Sequence, residues 1–437
     1  MTDPLRQAAC SVVATLTDAG FTAFFAGGCV RDRLMGNHVK DYDIATNATP
    51  QQVAAAFSKV RMVGAHFGVA LVHYHGFDFE VATFREDGSY GDGRRPDSVC
   101  YSTPEKDAHR RDFTINGLFE NPATGEVIDF IGGQQDLDAR TLRAIGDAET
   151  RFAEDYLRML RAVRFAARFD LKIEESTWVA LQAHAPQITQ ISVERIFAEV
   201  RTILTHPNRV RGFDLLVESG LMQHILPEII QLQGCDQPPE FHPEGDVYQH
   251  TRIMLDMIPA DASEALVWAV LLHDIAKPAT RTVDETGRIR FNGHDRVGAE
   301  MAEEILRRLK APNHLIDAVR PMVARHMTFM NVTKMKRSTL RRFMDAPTFT
   351  DEIELHRVDC ASSNGITENY EFVLAKRDEF ANEPVVPPPL VTGRDLIERG
   401  HKPGPNLGKI LNEIQTLQLD GQLTTRDDAL AWLDANG

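Results

Sequence analysis

Asp41 and Asp43 stand two residues apart in Lys40-Asp41-Tyr42-Asp43-Ile44-Ala45-Thr46. On a strand, residues i and i+2 share a face. Two carboxylates so placed repel each other unless a cation sits between them. Mg²⁺ takes one or two carboxylates together with substrate phosphates, so the pair suits phosphoryl transfer. Upstream lies Gly27-Gly28-Cys29-Val30-Arg31-Asp32, which follows an apolar run and opens a helix. Glycines let backbone approach an anion, a helix N-terminus supplies free N–H groups, and Arg31 adds a fork for phosphate oxygens. A third cluster is Arg110-Arg111-Asp112-Phe113-Thr114-Ile115-Asn116. Two arginines suit a triphosphate, while Asp112 and Asn116 offer an acceptor and an amide to a ribose or base. Each segment alone also fits a plain role: a solvated edge, a strand–turn–helix corner, or an N-capped surface helix.

Positioning these groups calls for a small sheet. Candidate strands are Ala23–Phe25, Tyr42–Ala45, Val69–Tyr74, Phe77–Thr83 and Glu126–Phe130. Glu80 lies on the alternating Phe77–Thr83 run and is a candidate third metal carboxylate. After about Asp147 helical spacing takes over almost to the end. The fold class expected is α+β: a small N-terminal α/β head with a mixed sheet, then helices. In the first long helix, Arg158, Arg161, Arg164, Arg168 and Lys172 fall on one face at about 100° per residue, opposite Met159, Leu160, Val163, Ala166 and Ala167. Residues 85–96 carry three glycines and dense charge, which suggests a mobile loop.

The 437 residues are 43% hydrophobic and 25% charged, which excludes a disordered or collagen-like chain. Net charge is −15, so nucleic acid would have to be met by local patches. One candidate is Arg320 to Met344, with seven Lys/Arg and no acidic residue. No apolar run suits a membrane span, and no signal peptide is visible. Five scattered cysteines form no CxxC pair, so a cytoplasmic protein without disulfides is expected.

Together the three clusters resemble the nucleotidyltransferase superfamily, in particular the class II tRNA nucleotidyltransferases (CCA-adding enzymes) and the related bacterial poly(A) polymerases. The likeness covers nearly the whole chain. It implies template-independent addition of CCA to the tRNA 3′ end from CTP and ATP. It implies Mg²⁺ on Asp41 and Asp43 with Glu80 as a third carboxylate, and a nucleotide held by Gly27, Gly28, Arg31, Asp32, Arg111, Asp112 and Asn116. Asp129–Gly133 with Asp136 and Arg143 resembles the family's hinge. Glu154-Asp155-Tyr156-Leu157-Arg158 resembles its protein template, in which Asp155 and Arg158 read the base beside Arg161 and Arg164. The loop at 85–96 corresponds to one linked to the switch from C to A, and Ser192–Glu199 to a support for the neck.

His273-Asp274, together with His250, His294, His326 and Asp359, resembles an HD domain. That implies Mn, Fe, Ni, Co or Zn at His250, His273, Asp274 and Asp359, with His294 and His326 as further ligands, and a second, phosphohydrolase activity. The organisation implied is a catalytic head over 1–146, a neck over 147–235, an HD unit over 236–365 and a tRNA-binding helical tail over 366–437, as a monomer or homodimer with no membrane partner. The alternatives are a poly(A) polymerase, an A-adding specialist, and an HD phosphohydrolase with an inactive head.

Overall fold

A computed structural model describes residues 3–62, 68–88, 99–363, 365–380 and 385–436. It divides into two compact units, Met1–Pro227 and Glu228–Gly437.

The first unit begins with α1 (Pro4–Asp18), capped by the Asp3 carboxylate on the Leu5 N–H. Its Ala8, Ala9, Val12, Val13 and Leu16 are buried at helical spacing and join the core beneath the sheet. The strands are β1 (Ala23–Ala26), β2 (Ile44–Thr46), β3 (Val60–Met62), β4 (Val69–Tyr74), β5 (Phe77–Thr83), β6 (Arg85–Asp87), β7 (Val99–Tyr101), β8 (Phe119–Glu120) and β9 (Val127–Ile128). Seven form one sheet in the order β3-β4-β5-β2-β1-β8-β9. β2 and β5 are parallel and the other pairs antiparallel, so the sheet is mixed, as expected. β6 and β7 pair separately as a ribbon. The rest of the loop expected at 85–96 falls within 89–98, outside the described residues.

Gly27 makes the corner after β1. Its φ of +72° is a conformation only glycine adopts without strain, and its N–H donates to the Leu118 carbonyl. α2 (Gly28–Leu34) follows directly. Then come α3 (Pro50–Ala56), α4 (Pro104–His109) and α5 (Gly133–Asp138). The helical part carries α6 (Ala148–Glu154), α7 (Leu157–Phe169), α8 (Glu175–His184), α9 (Val193–Leu204) and α10 (Arg209–Glu218). α7 packs against α9 and α10, with Met159, Leu160, Ala162, Val163, Ala166 and Ala167 buried. Lys172 does not extend the basic face of α7: the helix ends at Phe169, Asp170 turns left-handed at φ 51°, and Lys172 opens a short strand. That strand, Lys172–Ile173, pairs in parallel with Thr141–Leu142.

The second unit is helical apart from a hairpin, Thr282–Val283 with Ile289–Arg290. Its centre is the helix Glu264–Leu272, buried on every side from Leu266 to Leu272. Val391, Leu396, Ile414, Leu423, Ala429 and Leu433 form a separate core near the end of the chain.

Candidate active sites

Asp41 and Asp43 precede β2 rather than lie in it, because regular pairing begins at Ile44. The segment alternates nonetheless: Tyr42 and Ile44 are buried, Asp41 and Asp43 exposed. The register Ile44↔Val81 sets Asp43 beside Glu80, one position earlier on the parallel neighbour. Desolvation, then the charges of Asp41 and Glu80, push the Asp43 carboxyl up to about 6 despite Arg111. A carboxylate whose ionisation is opposed by two neighbouring carboxylates is what a divalent cation relieves, so this donor set fits Mg²⁺.

A cavity of about 800 Å³ opens beside them. Gly27, Gly28, Asp41, Asp43, Asp112, Asn116, Asp155 and Arg158 line it, with Arg161, Arg164 and Arg168 along one wall. Ten of its lining side chains are Lys or Arg and five are Asp. An acidic chain therefore encloses a locally cationic site suited to a polyphosphate. Lys40, Arg85 and Arg195 also line it. Sequence reasoning did not single these out, although Lys40 adjoins the aspartate pair and Arg195 lies in the segment read as a support.

Arg31 and Asp32 are held by the surrounding fold. Arg31 is only 4% exposed. It donates to Asp32 and Asn116 and stacks 4.3 Å above the Phe169 ring of α7. It braces the glycine corner, and both Arg31 and Asp32 also line the cavity. Arg110 and Arg111 both donate to Asp107. Burial would raise that carboxyl, but Arg111 and Arg110 outweigh it and lower it. Arg111 also donates to the Asn116 carbonyl at 3.0 Å.

Asp112 accepts from the Phe113 N–H at 2.8 Å, from Asn116 at 3.0 Å and from Arg161 at 2.8 Å. Burial opposes its ionisation, yet Arg161 and Asn116 bring it down to about 2. Arg164 donates to Glu199 at 2.7 Å. Asp155 lies between α6 and α7, accepting from the Leu157 N–H at 3.0 Å and from Arg195 at 2.7 Å. Arg158 pairs with Glu154 and donates to the Arg151 carbonyl. The basic face of α7 is thus a wall of paired arginines, not a solvated stripe.

In the second unit the six expected residues converge. His250 is on the helix Val247–Met257, His273-Asp274 ends the helix Glu264–Leu272, His294 opens His294–Arg308, His326 follows Asn313–Arg325, and Asp359 is on Phe349–Ser362. Nδ1 of His273, His294 and His326 donates to the Val270, Phe291 and Val323 carbonyls. Nδ1 of His250 faces Glu244 at 2.7 Å. Each ring therefore presents Nε2 inward, the arrangement of a metal-ligating imidazole. Nε2 of His294 and of His326 lie 3.1 Å apart, two lone pairs that need a cation or proton between them. Asp274 joins both ends, with Oδ2 near His273 at 3.1 Å and Oδ1 near His294 at 3.4 Å. Ligand atoms of His250, His273 and Asp274, and of Asp274, His294 and His326, each cluster within 4.8 Å. The set fits one or two borderline-soft divalent cations. Sequence reasoning passed over Glu244 as a partner of His250, and over Lys277, which reaches Asp274 Oδ2 at 2.6 Å.

The basic stretch from Arg320 to Met344 is largely neutralised by the fold. Arg320 pairs with Glu303, Arg325 with Glu352 and Arg337 with Glu379. Arg342 donates to Asn412 and Thr416, and Arg341 is buried over Phe380. Lys334 and Lys336 are exposed. A run without acidic neighbours in sequence has acquired them from other helices.

Among the described residues, no helix is long and apolar enough to cross a membrane.

The mixed sheet with its carboxylate trio and cationic cavity, and the histidine–aspartate cluster of the second unit, define a nucleotidyltransferase joined to an HD unit. Residues 23–143 match the Poly A polymerase head domain, 170–232 the "Probable RNA and SrmB- binding site of polymerase A" and 246–355 the HD domain. The chain is 31% identical to a CCA-adding enzyme of Streptococcus mutans over 97% of its own length and 95% of that protein's. It is 36% identical to one of Geobacillus thermodenitrificans over 68% and 70%. A crystal structure of the Bacillus stearothermophilus CCA-adding enzyme in complex with CTP superposes with a TM-score of 0.74 at 28% identity, covering 99% of this chain and 98% of that one. The chain belongs to the CCA-adding enzymes.

Proposed function

We propose that this protein adds C, C and A in turn to the 3′ end of tRNA, using CTP and ATP and no nucleic-acid template. The observation that carries this is one cavity joining Asp41 and Asp43, a wall of arginines, and the Asp155/Arg158 pair. Asp41, Asp43 and Glu80 hold Mg²⁺, which when bound neutralises phosphate charge and favours ionisation of the attacking 3′-hydroxyl. Gly27, Gly28 and Arg111 receive the triphosphate, with Arg161 and Arg164 beside it. Asn116 meets the ribose from its place against Asp112, and Arg31 with Asp32 holds the corner in shape.

Asp155 accepts from the exocyclic amino group of cytosine or adenine, and Arg158 donates to the adjacent ring nitrogen. Uracil and guanine present the reverse order, so they face like with like. An extension assay on tRNA lacking CCA, on tRNA ending in CC and on unstructured RNA tests this. Addition that stops after CCA is expected. Long A tails on unstructured RNA, or addition only after CC, refutes it.

A second reading concerns the other unit. The inward Nε2 set around Asp274 supports hydrolysis of a phosphate ester with a bound Mn, Fe, Co, Ni or Zn ion, which would lower the pKa of water at the site. Phosphate release from a nucleotide, or opening of a 2′,3′-cyclic phosphate to the monoester, should vanish in His273→Ala while CCA addition continues. Hydrolysis unaffected by His273→Ala would remove this reading.

A further inference from the structure

Arg195 lines the nucleotide cavity, and nothing in the reaction as described uses it. It stands in the first turn of α9. Its Nη2 donates to Asp155 Oδ2 at 2.7 Å, while the Leu157 N–H holds Oδ1 at 3.0 Å. One oxygen of the carboxylate is thus tied to backbone and the other to a neighbouring helix. Arg195 Nη1 is buried and makes no hydrogen bond among the described residues. One turn on, Glu199 takes the Arg164 guanidinium at 2.7 Å. α9 therefore grips the template helix and the residue that opens it through two ion pairs.

We propose that Arg195 is a positioning residue that determines base specificity: it locks the plane of the Asp155 carboxylate. The inference rests on the reading of Asp155 and Arg158 as the base-recognising pair. A locked carboxylate accepts readily from an amino group and repels the carbonyl of uracil or guanine at the same place. Without the clamp the carboxylate turns, and a water can bridge two acceptors that would otherwise repel. Wrong bases then gain and correct bases lose, whereas the triphosphate contacts, made by other residues, do not change.

The test uses the full chain with Mg²⁺, measuring kcat/KM for CTP against UTP on tRNA lacking CCA, and for ATP against GTP on tRNA ending in CC. Arg195→Met should lower both discrimination ratios by about tenfold or more, the scale lost when a hydrogen-bonding base pocket is loosened. Arg195→Lys, which keeps a charged donor, should restore most of the ratio. Arg195→Gln keeps a shorter planar donor and should shift the ratio the same way by less, so it serves if the Met variant does not fold. An equal fall for all four nucleotides, with unchanged ratios, would make Arg195 merely structural and overturn the proposal. Asp155→Ala separates the two layers: if it too leaves the ratios unchanged, the base-recognising pair itself is wrong. Relaxed ratios in Asp155→Ala with intact ratios in Arg195→Met and Arg195→Gln reject Arg195 alone.

Discussion

Replacing Asp43 with Asn should abolish nucleotide transfer and yet stabilise the metal-free protein. The Asp43 carboxyl stands at about 6 in the folded chain against its ordinary 3.8. Burial and the charges of Asp41 and Glu80 disfavour its ionised form. Because the folded value is raised, the folded state holds the proton more tightly than the unfolded one between these two values. Stability is then lost as pH rises from 3.8 toward 6, and the full cost stands above that. At 1.36 kcal/mol per unit the ceiling is about 3 kcal/mol. Asp43 is exposed, so screening reduces this to about 1–2 kcal/mol.

The neutral amide removes that cost. In EDTA at pH 8, Asp43→Asn should unfold higher than the unsubstituted protein by about 2–6 °C. The gap should shrink by about half at pH 5, where the folded carboxyl is already mostly protonated. Adding Mg²⁺ should raise the melting temperature of the unsubstituted protein and leave the variant nearly unmoved. Differential scanning calorimetry with and without Mg²⁺ reads all three. An Asn variant no more stable than its parent at pH 8, or a gap independent of pH, would refute the electrostatic account of this carboxylate trio.

Three other outcomes follow from the same geometry. Arg161→Met strands Asp112 in a buried site and should cost about 2–3 kcal/mol, less than a fully buried pair because Arg161 is partly exposed. Asp112 is held down to about 2, so the pair's contribution is present above 3.8 and lost only as pH falls through 2; urea unfolding at pH 8 should show the gap, and its absence there contradicts the pairing. Gly27→Ala forces a side chain into φ +72° with its Cβ 2.6 Å from Arg111 Nη1, costing about 1–2 kcal/mol and displacing a phosphate-binding group. The KM for CTP should rise several-fold, and unchanged kinetics would remove the glycine corner from the site. In the HD unit, burial disfavours the His250 imidazolium, but Asp359 and Glu244 raise it to about 9. A divalent cation must displace that proton, so affinity should climb with pH until about 9. Calorimetric titration in two buffers of different ionisation enthalpy should show proton release at pH 7.5, and none would place the metal elsewhere.

Much of the site was legible before any coordinates. Asp41 and Asp43 are neighbours at a spacing that puts them on one face of any extended segment. His273 and Asp274 adjoin, and the helical period of residues 157–169 separates arginines from apolar residues. These are local properties, carried by the periodicities of the backbone itself. β2 starts two residues later than expected: the regular ladder pairs with β1 and β5 begin at Ile44, and Asp43 keeps only the backbone bond from the Ala26 N–H to its carbonyl. Lys172 left the helix because Asp170 turned it.

By itself, then, the sequence determined the candidates for phosphate, metal and base contacts, and the α+β character of the chain. Only the tertiary structure decided what each charge is doing. It turned Arg31 inward against Phe169, gave Arg110 and Arg111 a shared partner in Asp107, and surrounded the acid-free run at Arg320–Met344 with Glu303, Glu352 and Glu379. It also brought Glu80 to Asp43 and Arg195 to Asp155, contacts 37 and 40 residues apart in the chain. The reason is physical: the energy of a charge depends on its partners and its burial. Both are set by which elements pack together, and spacing along one element does not record that.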